Sequence, residues 1–118
     1  MPNILVIPNS DRIDKEQLKR IYPELSALAI SVLNTQGGLR VEHVRIIPVQ
    51  AWEGQIHQQS LSLIIQVKRT PDYLAGLSAF PQTLAQTIKS RLLELGIFNE
   101  TDTLKVNLML IDSATASA

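Results

Sequence analysis

The sequence predicts an α+β fold built from tandem β-α-β units, with a four-stranded mixed sheet and two helices on one face. Three observations carry this expectation. Ile4–Ile7, Leu39–Val49, Leu61–Lys68 and Leu104–Ile111 show the apolar runs or the alternation of strands. Between them, two long stretches repeat apolar residues at helical spacing. The order strand-helix-strand therefore occurs twice, and Tyr22-Pro23 and Phe80-Pro81 stand at similar points of the two helices. Right-handed crossovers make the two strands of each unit parallel.

Ile4 to Ile7 is a continuous apolar run, suited to a strand covered on both faces. Pro8-Asn9-Ser10-Asp11 is turn chemistry. Asp14 is placed to cap the first helix, with Gln17 completing a capping box. Leu18, Ile21, Leu25, Leu28, Ala29, Val32 and Leu33 form its apolar face. Pro23 predicts a kink or brief break near Arg20 to Tyr22, and Gly37-Gly38 ends the element. In the second strand Leu39, Val41, His43, Arg45, Ile47 and Val49 share one face, and Pro48 marks an edge or an interruption. Gln50 to Gln59 is a polar connection holding Trp52 and a turn at Gly54.

The second half follows the same plan. Leu61, Leu63, Ile65 and Val67 alternate with Ser60, Ser62, Ile64 and Gln66. Thr70-Pro71 opens the second helix. Leu74, Leu77, Phe80, Leu84, Ile88, Leu92 and Leu95 make its apolar stripe, and Pro81 predicts two segments or a kink. Gly96 closes it, and Leu104, Val106, Leu108 and Leu110 alternate with Lys105, Asn107, Met109 and Ile111 in the last strand. A single domain is expected over residues 1–112, with a flexible low-complexity tail at 113–118.

Composition narrows the function classes. With 118 residues, 45% apolar and 19% charged, the chain reads as one ordinary soluble domain. A formal net charge of zero argues against a general nucleic-acid binder, and 4% aromatic content argues against stacking platforms for single strands. The absence of cysteine excludes disulfides and thiolate metal sites, and His43 and His57 are too few for a metal site without carboxylate help. No apolar run approaches the roughly 20 residues that span a bilayer. The N-terminus lacks the basic and apolar regions of a secretory signal, so a cytoplasmic location is expected. With both helices on one side, the other sheet face carries Val, Leu and Ile uncovered. A second or third copy of the chain is the economical cover.

One stretch offers unusual chemistry. Removal of Met1 would leave Pro2 as a free secondary amine at the start of a buried strand. Arg12 stands ten residues after Pro2, and Arg45 lies in Val44-Arg45-Ile46-Ile47, seven residues before Trp52. In this pattern the chain resembles the tautomerase superfamily. The likeness is to 4-oxalocrotonate tautomerase over the first half. In length and layout it is to 5-carboxymethyl-2-hydroxymuconate isomerase and macrophage migration inhibitory factor.

The resemblance implies a homotrimer whose sites lie between subunits. It implies an isomerase without metal or organic cofactor, acting on a small anionic, carboxylated enol or 2-keto acid. Pro2 would be the general base, Arg12 and Arg45 would bind the carboxylate, and Trp52 or Ile56 would wall the pocket. Asn3 departs from the apolar residue common after the family's proline. Retention of Met1 would make the Pro2 nitrogen an amide and the chain an inactive relative.

The residues also admit plainer roles. Arg12 follows a polar turn and suits a solvated surface. Arg45, in an apolar strand, needs a partner, which Glu42 or Asp112 could supply. His43 and Trp52 suit an interface, and Lys68-Arg69 a solvated strand end. The element order also describes the ferredoxin-like fold, which would make the chain a non-enzymatic ligand-sensing or interaction module.

Overall fold

Two parallel strand pairs meet in one mixed sheet. β1 (Asn3–Pro8) runs parallel to β2 (Arg45–Pro48), and β3 (Leu61–Lys68) runs parallel to β4 (Leu104–Ile111). β1 and β3 pair antiparallel, giving the order β2-β1-β3-β4. The structure is a computed structural model and describes residues 2–34, 37–49 and 59–112. Met1, Trp52, Gly54, Ile56, His57 and the tail from Ser113 lie outside the described residues. Each parallel pair needs a crossover. α1 (Lys15–Leu33) serves the first; the short α2 (Pro71–Ala75) and α3 (Phe80–Glu94) serve the second. A ferredoxin-like sheet would split each pair, whereas here β1 and β2 are direct neighbours.

Strand alternation decides the layers. Ile4 and Val6 of β1 and Leu61, Leu63, Ile65 and Val67 of β3 are buried on one face. Ile21, Leu25, Ala29 and Leu33 of α1 and Leu84, Ile88 and Leu92 of α3 recur four residues apart and close on that face. Arg91 of α3 then clasps Glu24 of α1 in a fork, Nε to Oε2 at 3.0 Å and Nη2 to Oε1 at 3.2 Å. Arg20 Nη2 adds a bond to the Leu95 carbonyl at 2.9 Å. The opposite face carries no helix among the described residues. Its register sets Ile47, Leu5, Ile64 and Asn107 in one row and Arg45, Asn3, Gln66 and Met109 in the next.

The helix starts follow the sequence. Asp14 accepts from the Gln17 N–H at 2.8 Å, and Gln17 Oε1 accepts from the Asp14 N–H at 2.9 Å. Thr70 Oγ1 accepts from the Tyr73 N–H at 3.2 Å. Pro81 falls in the first turn of α3, where no N–H is required, so the expected interruption is the turn between α2 and α3.

Two expectations need correction. α1 runs unbroken through Pro23. Pro23 sits on the exposed side, so the carbonyl at Lys19 that loses its donor faces water. The second strand is also shorter than Leu39–Val49. Val41–His43 forms a 3₁₀ turn, closed by His43 N–H to the Arg40 carbonyl at 2.9 Å and Val44 N–H to the Val41 carbonyl at 3.1 Å. The cause is register. Arg45 pairs with Asn3, the first residue of β1, so earlier residues have no strand beside them.

Candidate active site

Pro2 precedes β1 and is buried. Proline has no N–H to give a ladder, and the first strand position does not ask for one. Its carbonyl accepts the Arg45 N–H at 2.9 Å, the bond that starts the β1–β2 pairing. Pro2 and Arg45 are therefore neighbours in one protomer.

The Arg45 side chain lies on the helix-free face, opposite the core-packed Val44 and Ile46. It is exposed, so the desolvation cost expected for an apolar strand does not arise. Neither suggested acidic partner takes it. Asp112 pairs with Arg69 at 3.3 Å, and Arg45 has no ion pair among the described residues. A fixed-charge fork on the strand next to Pro2 can hold a carboxylate at two points. His43 is committed elsewhere. It sits in the 3₁₀ turn, where its Nδ1 accepts the Arg40 N–H at 3.1 Å.

Arg12 is not with them. It ends the turn after β1, where its N–H and that of Ile13 both reach the Asn9 carbonyl at 2.9 Å. Its guanidinium lies 3.8 Å from Asp102, whose side chain is only 9% exposed. Asp102 in turn accepts from Ser60 Oγ at 2.9 Å and the Asn99 N–H at 2.8 Å. The six residues of β1 separate Pro2 from this cluster by about 20 Å. Within one protomer the two arginines thus sit at opposite ends of β1. A groove of about 540 Å³, lined by Pro8, Ile13, Leu18, Tyr22, Pro48 and Val49 among others, also lies at the Arg12 end.

Sequence reasoning missed the Ser60–Asp102 cluster and the placing of Asn3 and Gln66 beside Arg45. The first carried a faint signal, Asn99 and Asp102 in turn spacing before β4. The second depends on strand register, which no local pattern encodes. Among the described residues no group of three or more His, Cys, Asp and Glu side chains could hold a metal. No helix among them is long and apolar enough to cross a membrane.

The chain has the tautomerase fold. It is similar to a macrophage migration inhibitory factor-like protein from Entamoeba histolytica, at 19% identity over 93% of this chain and 88% of that one, with a TM-score of 0.62. A fused 4-OT protein, described as an asymmetric trimer, shares 14% identity over 92% and 85% of the two chains, with a TM-score of 0.61. A 5-carboxymethyl-2-hydroxymuconate delta-isomerase shares 15% identity over 100% and 86%, with a TM-score of 0.54. At such identities the likeness establishes the fold and does not assign a substrate. No protein-family model and no curated protein matches the sequence.

Proposed function

We propose that the chain is a cofactor-independent tautomerase or isomerase of small carboxylated enols or 2-keto acids, with Pro2 as general base. The backbone pairing of Pro2 with Arg45, whose side chain has no ion pair among the described residues, carries this reading. Once Met1 is removed, Pro2 presents a secondary amine. A free α-amine titrates near about 7.7–8, and burial with a cation nearby lowers that value toward the working pH. The neutral amine takes a proton from the carbon next to the keto group. The C–H electron pair becomes the new C=C bond, and the carbonyl oxygen gains a proton to give the enol. Arg45 holds the carboxylate and draws electron density from the reacting carbons.

Further copies would enclose the helix-free face, with its exposed Met109 and half-buried Leu5, Ile47 and Ile64. A homotrimer with sites at subunit boundaries fits this face. In that assembly Arg12 serves a neighbour's Pro2, because its own is a strand length away. Trp52 remains a candidate pocket wall. A phenylpyruvate tautomerase assay, read beside the intact mass of the protein, tests the reading. Activity in protein lacking Met1 and its loss in Pro2→Ala support it, and activity indifferent to Pro2 sinks it.

A further inference from the structure

Asn3 faces the helix-free side of the sheet immediately after Pro2. The register sets it between Arg45 on β2 and Gln66 on β3. A guanidinium and two carboxamides thus form one row across three neighbouring strands. Strands lie about 4.8 Å apart, so the outer members of the row stand about 10 Å from one another. None of the three side chains has a hydrogen-bond or ion-pair partner among the described residues. Across the same three strands the adjoining row is apolar, Ile47, Leu5 and Ile64, before it reaches Asn107 on β4. A polar row beside an apolar one suits a ligand with an oxygen-rich head and a hydrocarbon body.

The residue types match a particular head. The C2 oxygen of a 2-keto acid accepts a hydrogen bond as a ketone and donates one as an enol. A guanidinium can only donate, whereas a carboxamide offers both N–H donors and a carbonyl acceptor. Asn3 and Gln66 can therefore serve both tautomers while Arg45 takes the carboxylate. We propose that Asn3 and Gln66 bind the C2 oxygen of a hydrophobic 2-keto acid, and so set the preference for 2-keto acids over plain carboxylic acids. This rests on the reading of Arg45 as the carboxylate-binding residue. Asn3 and Gln66 are specificity residues here, and Leu5, Ile47 and Ile64 line the subunit boundary that would hold the hydrocarbon portion.

Calorimetric titration with phenylpyruvate and 3-phenylpropionate, which differ at C2 by one oxygen, tests the inference without requiring turnover. Wild type is expected to bind phenylpyruvate about tenfold more tightly. Asn3→Leu and Gln66→Leu should each shrink that preference several-fold and leave 3-phenylpropionate binding unchanged, whereas Arg45→Gln should weaken both acids alike. Circular dichroism and assembled mass check each variant, and Asn3→Ala and Gln66→Ala replace any leucine variant that misfolds. Equal binding of the two acids by wild type, or an unchanged preference in both variants, overturns the inference alone. Binding of neither acid by wild type overturns it together with the reading of Arg45.

Discussion

The backbone N–H of Arg45 donates to the carbonyl of Pro2 at 2.9 Å, so one ladder bond ties the candidate base to the candidate anion holder. The arrangement follows from parallel pairing of β1 and β2 in a register that starts at Asn3 and Arg45. The guanidinium is left on the open face of the sheet, with no internal acid to neutralise it among the described residues.

Replacing that guanidinium tests its role. Arg45→Gln keeps the backbone bond and removes a charge-assisted contact of about 1.5–3 kcal/mol. KM for phenylpyruvate is expected to rise about tenfold to hundredfold. Arg45→Lys should recover only part of the loss, because an ammonium cannot make the two-point fork. Steady-state kinetics on the variants measures both.

Arg12 can join Pro2 only across a subunit boundary, since β1 separates the two within a chain. Arg12→Ala and Pro2→Ala proteins should each be impaired alone. Unfolded together and refolded as mixed assemblies, they should regain activity at about a quarter of the sites, by random mixing in a closed ring. Mixed assemblies no better than the parents would remove Arg12 from the site.

Asp102 is a structural carboxylate. Asp102→Ala strips partners from Ser60 Oγ and the Asn99 N–H in a buried place, and should cost about 2–3 kcal/mol in urea denaturation. Arg12→Ala should cost under about 1 kcal/mol, because the Arg12 side chain is 50% exposed and its pairing is long.

The Glu24–Arg91 clasp makes stability depend on pH. The hydrogen bond from Arg91 holds the Glu24 carboxyl below the usual carboxylate range, against a smaller opposing effect of burial. A depressed folded value gives stability that is present above the unfolded value of about 4.3 and is lost as pH falls through the folded one. Glu24→Gln should therefore be less stable than wild type at pH 7. The difference should close once the pH drops below the range where Glu24 titrates, as read from denaturant midpoints across pH.

Much of the fold is legible in the sequence, because alternation and burial coincide. Leu61–Lys68 and Leu104–Ile111 are strands over the full length their alternation marks. The Asp14–Gln17 capping box forms with the residues its spacing names, and Thr70 caps the helix that Thr70-Pro71 opens. Alternation also continues through Leu39–Val44, but a strand needs a neighbour, and β1 begins too late to supply one. Pro23 breaks nothing, because the carbonyl it deprives faces solvent. At the site, Pro2 and Arg45 stand out from position and spacing. The separation of Arg12 follows from strand length, and the Arg45–Asn3–Gln66 row from one parallel and one antiparallel register between distant segments; neither is written in any local stretch.

The central claim is that Pro2 is the base. Phenylpyruvate tautomerisation should be measured with protein whose mass shows loss of Met1, beside Pro2→Ala protein of the same assembled mass. The expected result is turnover by the former and a drop of at least about a hundredfold in kcat for the latter, the scale of a lost general base. Equal rates in the two proteins would contradict the claim.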